Sequence, residues 1–330
     1  MNQPQRTIFV SIASYCDDLL WWTVRSAWTT AAHPERLIFG IVEQSPARSA
    51  DADLNGPWSR QTRYVHVVPK DSRGACWARS VVFSLYAGED YLLQIDSHSM
   101  FEKNWDCRLV GDLEVISAKH ENDKVILSTR PFGFELDERG GARSKVYTKQ
   151  SLVLRPKLGV IFKDDHPILP FEAFPSGKEE PVLGFQIAAG FIFTRGTFVE
   201  EVPYDPQLYF HGEEQNLAVR AFTRGWDIWH PNGPPLFHQY KDHAKRSYAV
   251  HWSVEHDRER SVRWEQLERM SKARMRQLLF DKSQRGVCGL GNIRTLADFS
   301  ALSGIDYLSR RVAVPQVNVG NGRRVPDFCT

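Results

Sequence analysis

The chain has 330 residues, 42% hydrophobic and 25% charged, which suits one large globular domain or two small ones and excludes a disordered or fibrous protein. Its formal net charge of +2 is too weak to point to nucleic acid. No apolar run approaches the roughly 20 residues that span a bilayer, and no h-region opens the chain, so neither a transmembrane segment nor a signal peptide is expected.

Residues 7–13 read as a first strand, followed by a loop at 14–18. Asp17 or Asp18 can cap the next helix, over 19–32, which His33-Pro34 ends. Strands are expected at 37–42 and 64–68, with a polar, Pro- and Gly-containing loop at 45–60 between them. A helix at 74–86 and a strand at 91–95 complete an alternation that implies a largely parallel sheet. Beyond it, 105–118 reads as helix and 125–129 as strand. Segment 135–181 is the least regular part, with the composition of a substrate-facing insertion. Residues 185–194 are apolar and β-like, 213–224 helical, 226–229 a short strand and 231–235 turns. Residues 253–280 have helical spacing and many charges, as in a solvated amphipathic helix, and 285–330 form a mixed tail.

The five cysteines (Cys16, Cys76, Cys107, Cys288, Cys329) are odd in number and widely spaced, with no C-x-x-C pair. That pattern suits a reducing compartment, hence a cytoplasmic location. Aromatic residues make up 12% of the chain, ten of them Trp. Most belong in the core, and exposed rings would suit a carbohydrate-facing surface.

The apolar run 91–95 ends abruptly in Asp96-Ser97-His98. At the carboxyl end of a buried strand, positions i and i+2 share a side, so a carboxylate and an imidazole converge. Ligands of open α/β sheets bind in the crevice beyond such strand ends. A divalent cation there needs further ligands. His238 follows a strand and a proline turn and can return to the same crevice, with His243 as its nearby competitor. One carboxylate oxygen and two imidazole nitrogens favour Mn²⁺, whereas Mg²⁺ would prefer more oxygen. A capping Asp and surface histidines are the plain alternative.

Other residues can serve an anionic ligand in this crevice. Arg73 and Arg79, between a strand and a helix, can contact a diphosphate bidentately. Residues 11–15, including Ser11, Ala13 and Tyr15, can offer backbone groups to a nucleobase, and Ser97 lies beside the same crevice. Gly190 permits close approach of backbone to a ligand, or simply close core packing. Glu213 or Glu214, opening a helix after Gly212, can accept hydrogen bonds from ligand hydroxyls or take a proton from one. Equally, both suit a helix N-terminus without any function.

Several motifs together resemble the cytoplasmic hydroxyproline-linked α-N-acetylglucosaminyltransferases and their bacterial relatives. They are Ile8-Phe9-Val10-Ser11-Ile12-Ala13-Ser14-Tyr15, Arg73-Gly74-Ala75-Cys76-Trp77-Ala78-Arg79 and Gln94-Ile95-Asp96-Ser97-His98. Ala189-Gly190-Phe191, Phe210-His211-Gly212-Glu213-Glu214, Phe237-His238-Gln239-Tyr240 and Leu290-Gly291-Asn292-Ile293-Arg294-Thr295-Leu296 follow in order. The arrangement is more distantly similar to the polypeptide GalNAc transferases. Cys16 departs from the Arg usual after Ser-Tyr, and Ser99-Met100 from the more usual Met-Arg.

The resemblance implies a GT-A fold: an α/β, Rossmann-like nucleotide-binding domain with a mostly parallel central sheet flanked by helices. It would occupy 1–250, with 135–182 an acceptor-side insertion and 251–330 a helical extension packed on it. It implies a UDP-sugar donor (UDP-GlcNAc first), Mn²⁺ or Mg²⁺, retention of configuration, and a protein or glycan hydroxyl as acceptor. It places Asp96, His98 and His238 at the metal and Glu213 at the donor sugar; in a transferase of this kind Arg79 would join the metal in stabilising the leaving diphosphate. A non-catalytic sugar- or nucleotide-binding module and a metal-dependent nucleotide-sugar hydrolase are the other readings.

Overall fold

The computed structural model describes residues 6–138, 141–240 and 250–313. Its first half alternates strand and helix: β1 (Ile8–Tyr15), α1 (Leu20–Thr30), β2 (Leu37–Gln44), α2 (Asp51–Leu54), β3 (Thr62–Val67), α3 (Ala75–Phe83) and β4 (Tyr91–Asp96). β1 and β4 are apolar almost throughout because helices cover both faces of the sheet. Alternate side chains feed two cores. Ile8, Val10, Ile12, Leu93 and Ile95 pack with Leu20 and Val24 of α1, and Phe9 and Leu92 pack with Ala78 and Val82 of α3.

The chain continues through β5 (Ser99–Phe101), α4 (Trp105–His120), β6 (Val125–Leu127), β7 (Phe132–Leu136), β8 (Ala142–Lys145), β9 (Leu152–Pro156), β10 (Phe171–Pro175), β11 (Val182–Gly184) and β12 (Phe191–Arg195). Then come α5 (Phe198–Glu201), α6 (Glu213–Thr223), β13 (Asp227–His230) and β14 (Leu236–His238). Last are α7 (Val254–Arg258), α8 (Trp264–Leu279), α9 (Leu296–Ser303) and a small ladder of β15 (Ile305–Asp306) and β16 (Arg311–Val312).

The main sheet has eight strands in the order β11-β13-β6-β12-β4-β1-β2-β3. β1, β2, β3 and β4 are parallel, as the alternation implied. β12 runs against both β4 and β6, which makes the sheet mixed. A buried strand reads as the same apolar run in either direction, so the reversal leaves no trace in the pattern. Its effect is large, because it starts β12 beside the carboxyl end of β4 (Phe191 opposite Ile95).

A second sheet, β5-β14-β7-β8, stands at that end. Segment 135–181 is more regular than expected: β7 pairs with β8 and β9 with β10, both antiparallel. The loop 45–60 contains the four-residue α2. The single helix expected over 253–280 is two, α7 and α8: the backbone is extended at Arg263, and the Asp257 carboxylate of α7 accepts from the Trp264 N–H that opens α8 at 2.8 Å. Met275, Leu278, Leu279, Leu296, Phe299 and Tyr307 share one core with Leu217 and Phe222 of α6. Among the described residues no helix is long and apolar enough to cross a membrane.

His230, at the end of β13, is fully buried with Nδ1 2.6 Å from the Ser128 carbonyl. Burial pushes it down from 6.5 to about 4, Arg155 adding to the effect and the Ser128 carbonyl opposing it. The unfolded chain therefore binds more protons between these two values. The stability from neutral burial is full above 6.5 and is lost as pH falls toward 4, by an amount of order 3 kcal/mol. Urea midpoints measured between about pH 7 and about pH 4.5 should fall accordingly. They should fall less in His230→Gln, and equal slopes for the two proteins would disprove the assignment.

Candidate active site

Antiparallel pairing of β5 with β14 sets Ser99 opposite His238, and the Gln239 N–H donates to the His98 carbonyl at 3.0 Å. That register brings His238 to Asp96, the last residue of β4, and to His98 two residues beyond it. His238 Nε2 lies 3.1 Å from Asp96 Oδ2 and 3.0 Å from His98 Nε2. One ligand atom from each of Asp96, His98 and His238 falls within 4.8 Å of the other two. The expected trio is therefore assembled by the fold, and His243, the competitor, lies outside the described residues.

The electrostatics suit a cation. Burial alone would raise the Asp96 carboxyl. The His238 hydrogen bond and the Arg79, His238 and His98 charges outweigh it and hold the group well below the usual carboxylate range. His238 is pushed down, first by burial and then by His98, against the pull of Asp96. The site thus presents an anionic oxygen and a neutral imidazole. His98 Nδ1 is 2.5 Å from Asp17 Oδ2, and donation there leaves His98 Nε2 as a lone pair. Two Nε2 atoms 3.0 Å apart share at most one proton. Without an ion His238 Nε2 carries the proton donated to Asp96 Oδ2, and only a shift of that proton to the buried Nδ1, which has no partner among the described residues, would free the second lone pair for a cation. One carboxylate oxygen and two imidazole nitrogens on one point form a donor set that a divalent transition-metal ion can take, with the hard oxygen suiting Mn²⁺.

Arg79 sits behind this trio. Its Nη2 donates to Asp96 Oδ1 at 2.6 Å and its Nη1 to Glu213 Oε1. The Tyr204 hydroxyl donates to the same Glu213 oxygen at 2.7 Å and accepts from Gln94 of β4 at 2.6 Å. Arg79, Glu213 and Tyr204 are all buried. Arg79 thus links α3 to β4 and α6, and Glu213 holds Arg79. Glu214 is half-buried, and its Oε1 accepts from the Ala189 N–H at 2.8 Å. Burial raises the Glu214 carboxyl, partly offset by that hydrogen bond. Gly190 presses on the trio directly, since a Cβ there would lie 2.8 Å from Asp96 Oδ2.

The other donor-side residues are placed as follows. Ala13 pairs with Asp96 in the sheet, and Ser11 is fully buried two residues back along β1. The Tyr15 hydroxyl is 2.6 Å from both Arg260 Nη2 and His256 Nδ1, so the segment around α7 covers it. The Ser97 hydroxyl donates to Asp17 Oδ2 at 2.8 Å, and Arg73 is exposed on the loop before α3. Sequence reasoning read Asp17 only as a cap and did not single out Tyr204 or Gln94. The signal for Asp17 lay in strand order: with β1 beside β4, the loop after β1 must border the end of β4.

The profile of the family described as Glycosyltransferase (GlcNAc) matches residues 7–57 and 57–297. No curated protein matches the sequence. Among solved structures, the crystal structure of GalNAc-T7 with UDP, GalNAc and Mn²⁺ is similar at a TM-score of 0.56 and 14% identity, over 90% of this chain and 54% of that one. S. aureus TarS 1-349 is similar at a TM-score of 0.43 and 10% identity, over 71% and 60% respectively. The chain thus spans about half the length of the GalNAc-T7 chain and about three fifths of the TarS chain. The large mixed sheet flanked by helices is the GT-A type of α/β fold.

Proposed function

The chain belongs to the GlcNAc glycosyltransferase family, and on that footing we propose a metal-dependent, retaining transferase that moves GlcNAc from UDP to a hydroxyl on a protein or glycan. The observation that carries this is the meeting of Asp96 Oδ2, His98 Nε2 and His238 Nε2 at the carboxyl end of β4. A protein similar in fold was crystallised with UDP, GalNAc and Mn²⁺, which supports the same class of donor and ion here. The four described cysteines are free thiols, in keeping with a cytosolic setting.

In this reading Asp96, His98 and His238 hold Mn²⁺, or Mg²⁺ less well. The bound ion stabilises negative charge on the departing diphosphate. Arg79 orients Asp96 through its 2.6 Å contact, and Glu213 keeps Arg79 in place. The nucleotide runs past Ala13 and Tyr15 at the end of β1, and Gly190 keeps the start of β12 low beneath the sugar. The β7–β10 region borders the acceptor. Attack comes from the face the diphosphate leaves, so configuration is retained.

UDP release from a panel of UDP-sugars, with and without Mn²⁺, tests the proposal. UDP-GlcNAc should be turned over best, only with the ion, and faster with a hydroxyl acceptor. No release from any donor, with no Mn²⁺-dependent UDP binding by calorimetry, defeats it. Steady cleavage indifferent to every acceptor would make the protein a hydrolase.

A further inference from the structure

The carboxylate of Asp17 is more deeply placed than a helix cap requires. Its side chain is 5% exposed. Oδ2 lies 2.5 Å from His98 Nδ1 and accepts from the Ser97 hydroxyl at 2.8 Å. Oδ1 accepts from the Leu19 N–H at 3.0 Å in a local turn, and neither Asp17 nor Asp18 caps α1 as the sequence suggested, because Leu19 is the N-cap and no side chain caps it. Burying a carboxylate is costly unless it is paired and hydrogen-bonded, and here the pairing is made to an imidazole of the trio.

The local chain is shaped to make that contact. Cys16 has φ +46°, a left-handed conformation uncommon outside glycine. Its N–H is pinned to the Gln44 carbonyl at 2.8 Å. The turn directs Asp17 from the end of β1 toward the end of β4. Thr23 of α1 braces the backbone around His98: its hydroxyl donates to the Ser97 carbonyl and accepts from the Ser99 N–H, each at 2.9 Å. His238 lacks such support, its Nδ1 having no partner among the described residues.

We propose that Asp17 is a positioning residue for His98. It accepts the Nδ1 proton, fixes the tautomer and ring orientation, and leaves the Nε2 lone pair aimed at the ion. The inference rests on the metal reading above. A carboxylate behind a ligating histidine is typically worth about 10- to 100-fold in metal affinity. Asp18, exposed and next in sequence, has no such role.

The test uses the full chain. Mn²⁺ titrated calorimetrically should bind Asp17→Asn about 10- to 100-fold more weakly than wild type, with Asp18→Asn unchanged. Metal-free wild type studied by ¹⁵N NMR at about pH 8 should carry the neutral His98 proton on Nδ1. The spectrum decides the matter if Asp17→Asn folds too poorly to titrate. A proton on Nε2, or equal Mn²⁺ affinity in folded Asp17→Asn, overturns the inference alone. Wild type that takes up no Mn²⁺ overturns it together with the metal reading beneath it.

Discussion

Replacing Asp96 by Asn should remove Mn²⁺ binding and lower turnover by roughly a thousand-fold, the equivalent of about 4 kcal/mol of lost charge stabilisation. Asp96 supplies the oxygen and the negative charge of the trio, and the amide keeps the shape while removing the charge. The carboxyl is held so low that it stays ionised at any mildly acidic pH. Loss of metal on mild acidification should therefore not come from Asp96, and protonation of His238, which competes with the ion, is the step to follow. Calorimetry with Mn²⁺ and UDP release would be read beside a thermal melt, because Asp96 also pairs with Arg79. Wild-type turnover in a folded Asp96→Asn would falsify the metal assignment.

The second large effect concerns stability. Arg79→Met should cost about 3–5 kcal/mol, because it strips the cation from Asp96 and Glu213 and leaves buried charge uncompensated. Arg79→Lys keeps the charge but loses the fork that reaches both carboxylates, so its loss should be intermediate. Adding Glu213→Gln to Arg79→Met should recover part of the loss, since the two residues act as a unit. Urea denaturation of the four proteins provides the comparison. An unchanged midpoint for Arg79→Met would show that the guanidinium contributes nothing to the fold. Its activity would be read separately, as Mn²⁺ affinity, to learn whether Asp96 wanders without it.

Much of this was legible in the sequence, for reasons that differ by element. β1, β2 and β4 are long apolar runs bounded by turn residues, and helices between them dictate a parallel core. Asp96 and His98 announced themselves because an apolar run stops on them. His238 was found from its proline turn and the family motif, without sight of β5 and β14, which have three residues each and are too short to show a period. The direction of β12 was invisible because burial on both faces erases alternation. The hairpins within 135–181 lie among prolines, and their strands are only four or five residues long. Glu213 illustrates a different limit: Gly-Glu-Glu before a helix does not say which acid turns inward to Arg79 and which toward Ala189. Asp17 required strand order, a property of the whole sheet.

The ligand trio joins positions 140 residues apart, since His98 follows β4 and His238 closes β14. Parallel strands β1 to β4 can condense as soon as the ribosome has released them. An ion at the trio could not be gripped until α6, β13 and β14 have followed and the β5–β14 register is made. A half-synthesised chain would own a crevice and two ligands but no closed site. A metal bound there would act as a rivet driven last, and its retention under dilute chelator would report whether the late segment has seated on the early one.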